Sequence, residues 1–304
     1  MKINAKPFLK WAGGKSQIIS DLSNKLPSEI FETKIIESYI EPFLGGGAFF
    51  FYLKNNFLVK KTYLLDINKE LIIGYKVIQQ KALKLIDTLK KIEKKYLTYN
   101  DDDRKKYFLE IRKKYNEQTY GFDYNNYNDI WLIRCSYLIF LNKTCFNGLF
   151  RLNKSGGFNV PHGSYKNPNI CDEENIINVS RALENTEIIW GDFTISEKYI
   201  NKKSIVYFDP PYRPLSETSS FTSYSKDGFT DKDQERLSIF YNDMADKGAH
   251  LILSNSDPKN TNPDDYFFEK LYGNFFIDRI EATRMINCNG NGRGKINELL
   301  ITNY

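Results

Sequence analysis

The stretch Lys34-Ile35-Ile36-Glu37-Ser38-Tyr39-Ile40-Glu41-Pro42-Phe43-Leu44-Gly45-Gly46-Gly47, followed by Thr62-Tyr63-Leu64-Leu65-Asp66, decides the fold. Residues 34–40 predict a buried strand running into Glu41-Pro42-Phe43. Three glycines then permit a turn with backbone angles that a Cβ would resist. Residues 48–53 open a helix, and residues 62–65 form a second strand that ends on Asp66. Strand, glycine turn, helix, strand, acid is the order of a Rossmann-like half. Gly45 and Gly47 match the opening of GxGxxG, but Phe50 stands at its last glycine, so the dinucleotide fingerprint fails. Asp66 lies about 20 residues beyond the turn, where an acid binds ribose hydroxyls. Together these features point to an adenosine-containing cofactor; separately, each suits a structural turn.

Outward from this half the pattern changes. Residues 76–97 carry Val77, Ile78, Leu83, Leu85, Ile86, Leu89 and Ile92 at a helical period. Helices are also predicted at 104–118, 130–141 and 172–183, with a Tyr- and Asn-rich loop at 119–128. Residues 149–160 read as two short strands around Lys154-Ser155-Gly156-Gly157, a hairpin signal. Strands resume at 187–190, 205–208, 249–253 and 298–302, and a helix at 231–247 has Thr230 as N-cap and Gly248 as stop. The economical architecture is α/β: a Rossmann-like sheet built from residues 1–73 and 186–304, with a mostly helical insertion carrying the hairpin at 74–185.

The 304 residues are 41% hydrophobic and 27% charged, which excludes collagen-like, low-complexity and wholly disordered chains. No apolar run approaches the roughly 18–20 residues of a membrane span. The amino terminus lacks the apolar core of a signal peptide. A soluble, cytoplasmic protein is expected, with no membrane partner. Cys135, Cys145, Cys171 and Cys288 form no CxxC pair, and His162 and His250 are isolated, so no metal site is expected. Residues 76–120 hold 13 Lys or Arg against 7 Asp or Glu, while the whole chain carries only +5. A basic segment on a balanced protein suits a polyanion, though a solvated helix face has the same composition.

The sharpest chemical signal is Asp209-Pro210-Pro211-Tyr212, directly after the apolar strand at 205–208. Ligands of open α/β sheets bind beyond strand carboxyl ends. Two prolines stiffen the turn and remove two N–H donors. Asp209 supplies a carboxylate acceptor, Pro210 a carbonyl and Tyr212 an aromatic face. That set suits a planar exocyclic amine, whose lone pair is delocalised and poorly nucleophilic. Hydrogen bonds that strengthen as the nitrogen becomes tetrahedral lower the barrier itself. Trp11-Ala12-Gly13-Gly14-Lys15-Ser16 is not a phosphate loop: Leu9 occupies the required first glycine, and no strand precedes it. Lys15 still suits a cofactor carboxylate, and Trp11 its sulfonium.

Several segments jointly resemble the Dam-type DNA adenine-N6 methyltransferases, and within them the adenine methylases of DpnII-type restriction systems. They are Phe8-Leu9-Lys10-Trp11-Ala12-Gly13-Gly14-Lys15, Glu41-Pro42-Phe43-Leu44-Gly45-Gly46-Gly47, Leu65-Asp66-Ile67-Asn68 and Asp209-Pro210-Pro211-Tyr212. The likeness continues in Phe146-Asn147-Gly148-Leu149-Phe150-Arg151, Phe158-Asn159-Val160-Pro161 and Tyr165-Lys166-Asn167-Pro168. It extends through residues 214–218, 221–224, 281–284 and 293–295. The resemblance implies S-adenosylmethionine as methyl donor, a flipped adenine in duplex DNA, and the site GATC. It implies cofactor contacts from Trp11, Lys15, Phe43, Gly45, Asp66, Asp192, Phe193 and Asp209. Asp209, Pro210 and Tyr212 become the methyl-transfer site.

For DNA, the resemblance makes Arg151 a guanine reader and Phe146 the wedge behind the flipped base. Asn147, Leu149, Pro161 and Tyr165 become neighbouring contacts, and Lys10 reads the outer guanine. Without the family, hairpin packing is the simpler account of Phe146, Leu149 and Pro161. Ser164 replaces an arginine that commonly precedes Tyr165, and His162 replaces an aromatic residue. The first change is expected to weaken DNA affinity more than specificity, since phosphate contacts carry little sequence information. A monomer is expected, with a restriction endonuclease of the same site as possible partner. Two alternatives stay open here. One keeps the enzyme class but attacks cytosine N4, an RNA adenine or a protein amide; the other is a non-catalytic DNA-binding protein.

Overall fold

The structure is a computed structural model that describes residues 3–15, 17–153, 155–213, 228–283 and 295–304. Ser16, Lys154, residues 214–218 and 221–224, Arg284, Cys288, Arg293 and Gly294 lie outside the described residues. In chain order the elements are α1 (Ile19–Asn24), α2 (Ser28–Thr33), β1 (Ile35–Glu41), α3 (Ala48–Asn56) and β2 (Leu58–Asp66). Then come α4 (Lys69–Leu97), α5 (Asp101–Glu117), α6 (Asp129–Thr144), α7 (Glu173–Ala182), β3 (Thr186–Trp190) and β4 (Ser204–Phe208). The chain ends with α8 (Asp231–Asp246), β5 (His250–Ser256), α9 (Phe267–Tyr272), β6 (Phe276–Thr283) and β7 (Lys295–Thr302).

These elements cluster into two compact units. One holds the sheet and comprises Lys15–Leu44, Asn56–Ile67 and Asn185–Tyr304; the other comprises Met1–Gly14, Gly45–Asn55 and Asn68–Glu184. The helical unit therefore takes in the amino-terminal segment and the glycine turn as well as the inserted helices.

The sheet order is β3-β2-β1-β4-β5-β7-β6. β1 pairs in parallel with β2 and β4, β2 with β3, and β4 with β5. β7 runs antiparallel to both β5 and β6. The fold is α/β and Rossmann-like, and its topological switch lies between β1 and β4, where such folds open a crevice. Every residue of β4 is buried, as a central parallel strand requires. Ile40, Val206, Phe208, Leu251, Leu253, Leu299 and Ile301 face a core completed by Leu237, Phe240, Tyr241 and Met244 of α8 and Phe268 and Tyr272 of α9. Tyr39, Ile205, Tyr207, Ile252 and Leu300, on the opposite face by alternation, are equally buried.

Thr230 caps α8 as anticipated, in a reciprocal box with Asp233: the Asp233 N–H donates to the Thr230 hydroxyl, and the Thr230 N–H donates to the Asp233 carboxylate at 2.9 Å. Thr230→Ala should cost about 1 kcal/mol in denaturant unfolding; an unchanged midpoint would show the cap to be idle. β6 was not anticipated. Its sequence, FIDRIEAT, mixes charged and apolar residues, as an edge strand does, and lacks the apolar run that marked the others.

In the helical unit, α4 starts at Lys69, because the Asn68 side chain accepts the N–H groups of Glu70 and Leu71 and adds a first turn. Arg134, 2% exposed, grips Glu70 through Nη2–Oε1 at 2.6 Å and Nε–Oε2 at 2.8 Å, tying α6 to α4. Among the described residues the two-stranded hairpin is short: one antiparallel bridge, Leu152 with Phe158, flanked by the Asn153 N–H donating to the Gly157 carbonyl at 2.8 Å and the Asn159 N–H to the Arg151 carbonyl at 3.1 Å. Its outer edge is held by a side chain instead of a third strand. Asn116 of α5 accepts the Phe158 N–H at 2.8 Å and donates to the Phe158 carbonyl at 3.1 Å.

Candidate active site

All five parallel strands end on one rim, and the acidic and aromatic residues singled out in the sequence follow directly from those ends. Phe43 follows β1, Asp66 closes β2, Asp192 and Phe193 follow β3, and Asp209 follows β4. The Asp209 side chain is 19% exposed, and Lys15 Nζ lies 2.9 Å from its Oδ1. Ser254, near the end of β5, donates to the same carboxylate at 3.0 Å and shares a 2.9 Å hydrogen bond with the buried Tyr207 hydroxyl. Burial pushes the Asp209 carboxyl above the ordinary carboxylate range, with nearby Glu298 adding to the rise; Lys15 and Ser254 oppose it. The result is a desolvated acceptor kept beside a buried cation.

The remaining corner is equally constrained. Tyr212 donates its hydroxyl to Glu298 at 2.7 Å, and Lys15 Nζ sits 4.1 Å from the centre of its ring. Gln234 of α8, fully buried, donates to the Pro211 carbonyl at 3.1 Å. Asn255 accepts the Arg213 N–H, and Ser256 donates to the Arg213 carbonyl. Two prolines and these side chains fix the corner before any ligand arrives, the preorganisation that electrostatic catalysis needs.

Sequence reasoning missed Ser254, Asn255, Gln234 and Glu298. A signal existed: Ser254-Asn255-Ser256-Asp257 is a polar run closing an apolar strand, and Glu298 is the lone acid in INELLIT. What could not be read was their pairing with residue 209.

Phe193 is 2% exposed and packs on Phe43, with ring centres 5.4 Å apart, and on Phe240. Asp192 is held bidentately by Arg236, both contacts at 2.9 Å, and caps the short 3₁₀ turn at Phe193–Tyr199. These two residues thus serve the core and a local turn, beside the half-buried Phe43. The backbone carbonyl of Asp66 accepts the Gly191 N–H.

The helical unit brings together the residues singled out for DNA. Trp11 stacks on Phe150 at 5.1 Å, and the α-carbon face of Gly45, at φ +48°, is closed by the Trp11 indole. Phe146 is 54% exposed, and its N–H donates to the Pro161 carbonyl at 2.9 Å. Asn147 adopts φ +56° and is exposed, as is Pro161; Leu149 and Tyr165 are half-buried. Hairpin packing therefore does not account for Phe146. Arg151 is exposed, with Nε donating to Asn159 Oδ1 at 2.8 Å. Lys10 Nζ lies 5.4 Å from the Tyr165 ring centre. His162 bonds the Tyr96 hydroxyl at 2.7 Å and packs on Phe108. Burial, with Lys105 and Arg104 adding to the effect, holds its pKa below the ordinary imidazole value.

A doubly wound sheet with a rigid acceptor corner at its switch-point rim has the form of a Rossmann-like methyltransferase. Residues 11–286 match the family described as D12 class N6 adenine-specific DNA methyltransferase. The chain is 48% identical over 304 residues to the Type II methyltransferase M.MjaIII of Methanocaldococcus jannaschii, covering 99% of this chain and 100% of that one. It is 37% identical to the Type II methyltransferase M1.LlaDCHI of Lactococcus lactis subsp. cremoris (100% and 97% covered). It is 34% identical to a DNA adenine methylase of Vibrio cholerae (97% and 95% covered). The chain belongs to the D12 class N6 adenine-specific DNA methyltransferases. It is an adenine-specific DNA methyltransferase, and membership of that class implies S-adenosylmethionine as the methyl donor.

Proposed function

We propose that the enzyme methylates an adenine flipped out of duplex DNA within GATC, and that the corner at Asp209 receives the base. The observation that carries this reading is the desolvated Asp209 carboxylate, fixed by Lys15 and Ser254 at the switch-point rim. Asp209 and the Pro210 carbonyl accept the two amino hydrogens, the Pro211 carbonyl being already engaged by Gln234. As the nitrogen becomes tetrahedral it gains positive charge, and the adjacent carboxylate stabilises that charge more than the ground state. Tyr212 offers its ring for stacking, worth roughly 1–3 kcal/mol.

S-adenosylmethionine supplies an electrophilic methyl group on a sulfonium. The donor set fits such a ligand: Asp66 suits its ribose hydroxyls and Lys15 its carboxylate. Phe43, Trp11, Gly45, Asp192 and Phe193 complete the assignment on the family's pattern. Lys10, Phe146, Asn147, Leu149, Arg151, Pro161 and Tyr165 form the DNA-reading set, with Phe146 filling the place of the extruded base. Flipping costs a few kcal/mol, and the 54% exposed Phe146 ring is the apolar surface available to offset it.

The Type II names of two relatives support a restriction–modification setting; a partner endonuclease of the same site and a monomeric, cytoplasmic methylase belong to the same proposal. No helix of the described residues is long and apolar enough to cross a membrane. Mapping modified adenines in DNA from cells expressing this chain tests the site assignment. N6-methyladenine confined to GATC is expected; modification at another sequence would overturn GATC while leaving the reaction intact.

A further inference from the structure

We propose that Asn142 is a positioning residue that locks the segment carrying Lys10 to the turn carrying Phe146 and Asn147, so that outer-base reading and base flipping share one geometric reference. This inference rests on the reading of those residues as DNA contacts.

Asn142 lies in the last turn of α6 and is completely buried. Its Oδ1 accepts the Lys10 N–H at 2.8 Å. Its Nδ2 donates to the Lys10 carbonyl at 3.0 Å and to the Gly148 carbonyl at 2.8 Å. Both donors of the amide are thus committed to backbone, one in each of two segments proposed to touch DNA. A buried amide saturated in this way cannot be replaced by solvent, because the site admits none.

A second observation points the same way. Gly148 adopts φ +65°, and a Cβ there would lie 2.3 Å from Lys10 Cδ and 2.9 Å from Lys10 Cβ. The aliphatic stem of Lys10 therefore crosses directly over Gly148 before its ammonium reaches the Tyr165 ring. Backbone staple and threaded stem fix where the ammonium sits relative to Phe146. The link to Lys10 does not arise from local sequence, since Lys10 and Asn142 are separated by 132 positions.

The test compares full-length wild type with Lys10→Ala, Asn142→Ala and Gly148→Ala. Turnover and KM are measured on GATC duplexes and on duplexes changed at one base. Flipping is followed with 2-aminopurine at the target adenine, and folding by thermal melting. Lys10→Ala, the reference, should relax discrimination at the outer guanine alone. Asn142→Ala should relax the same position by about tenfold or more, as sub-ångström to 1 Å misplacements do, although Lys10 itself is intact. Unlike Lys10→Ala, it should also diminish the 2-aminopurine signal, because the Phe146 turn is released too. Gly148→Ala should reproduce the loss by displacing the lysine stem, and it decides the matter if Asn142→Ala does not fold.

If Lys10→Ala changes discrimination nowhere, the reading of Lys10 fails, and the inference loses its premise. If Lys10→Ala relaxes one position but folded Asn142→Ala and Gly148→Ala keep wild-type discrimination, the reading stands and the positioning role is overturned. Equal loss at every base, or an unchanged flipping signal in Asn142→Ala, also overturns it.

Discussion

Asp209→Ala is expected to lower turnover by about 10²–10³-fold, the usual cost of deleting one preorganised electrostatic group, while the protein remains folded. The loss follows from geometry. Asp209 is the acidic acceptor at the corner, it is desolvated, and Lys15 at 2.9 Å keeps a cation beside it. Without the carboxylate, the amino nitrogen gains charge next to Lys15 with no carboxylate in direct contact to offset it. Methyl transfer from labelled cofactor measures the effect, and turnover within a few-fold of wild type would falsify the assignment.

Retention of the fold follows from linkage. Burial raises the folded-state pKa of Asp209 above its unfolded value. Such a carboxyl favours the folded state fully below the unfolded pKa, near 3.9. It loses that contribution as pH rises through the folded pKa, because an ionised group must then stay buried. Alanine has no such dependence. The melting temperature of Asp209→Ala relative to wild type should therefore move upward from pH 4 to pH 8. Movement in the opposite direction would mean that Lys15 outweighs burial at this site.

The second large effect concerns sequence discrimination. Arg151→Ala should relax the preference for guanine at one position by roughly 1–3 kcal/mol, or about 5- to 150-fold in relative kcat/KM. Arg151 is exposed, and its Nε is already held by Asn159 at 2.8 Å. The guanidinium therefore has part of its orientation set before DNA arrives, which reduces the ordering cost of binding. Substrates changed at each base in turn separate the possibilities. Uniform weakening across all of them, with a smaller salt dependence, would make Arg151 a phosphate contact.

Much of this was legible in the chain because it rests on short windows. Apolar runs at 34–40, 62–65 and 205–208 gave strands that the structure contains, and Thr230 announced the cap of α8. The acids at 66 and 209 fall at strand ends because each interrupts an apolar run where the strand must leave the core. β6 was illegible because an edge strand with charged side chains carries no such run. The hairpin is present but short: Leu152 pairs antiparallel with Phe158, the Asn153 and Asn159 N–H groups donate across it to Gly157 and Arg151, and Asn116 of α5 bonds its outer edge.

By itself the sequence determined the α/β class, the acidic rim and the acceptor corner, because periodicity and turn chemistry act over a few residues. Only the tertiary structure decided which groups meet within each unit. Ser254 reaches Asp209 across 45 positions, Glu298 reaches Tyr212 across 86, and Asn142 reaches Lys10 across 132. Those meetings are set by sheet register and by helix packing on distant segments, and a hydrogen bond holds only within about 3.5 Å; no local pattern encodes a distance that the whole fold must close.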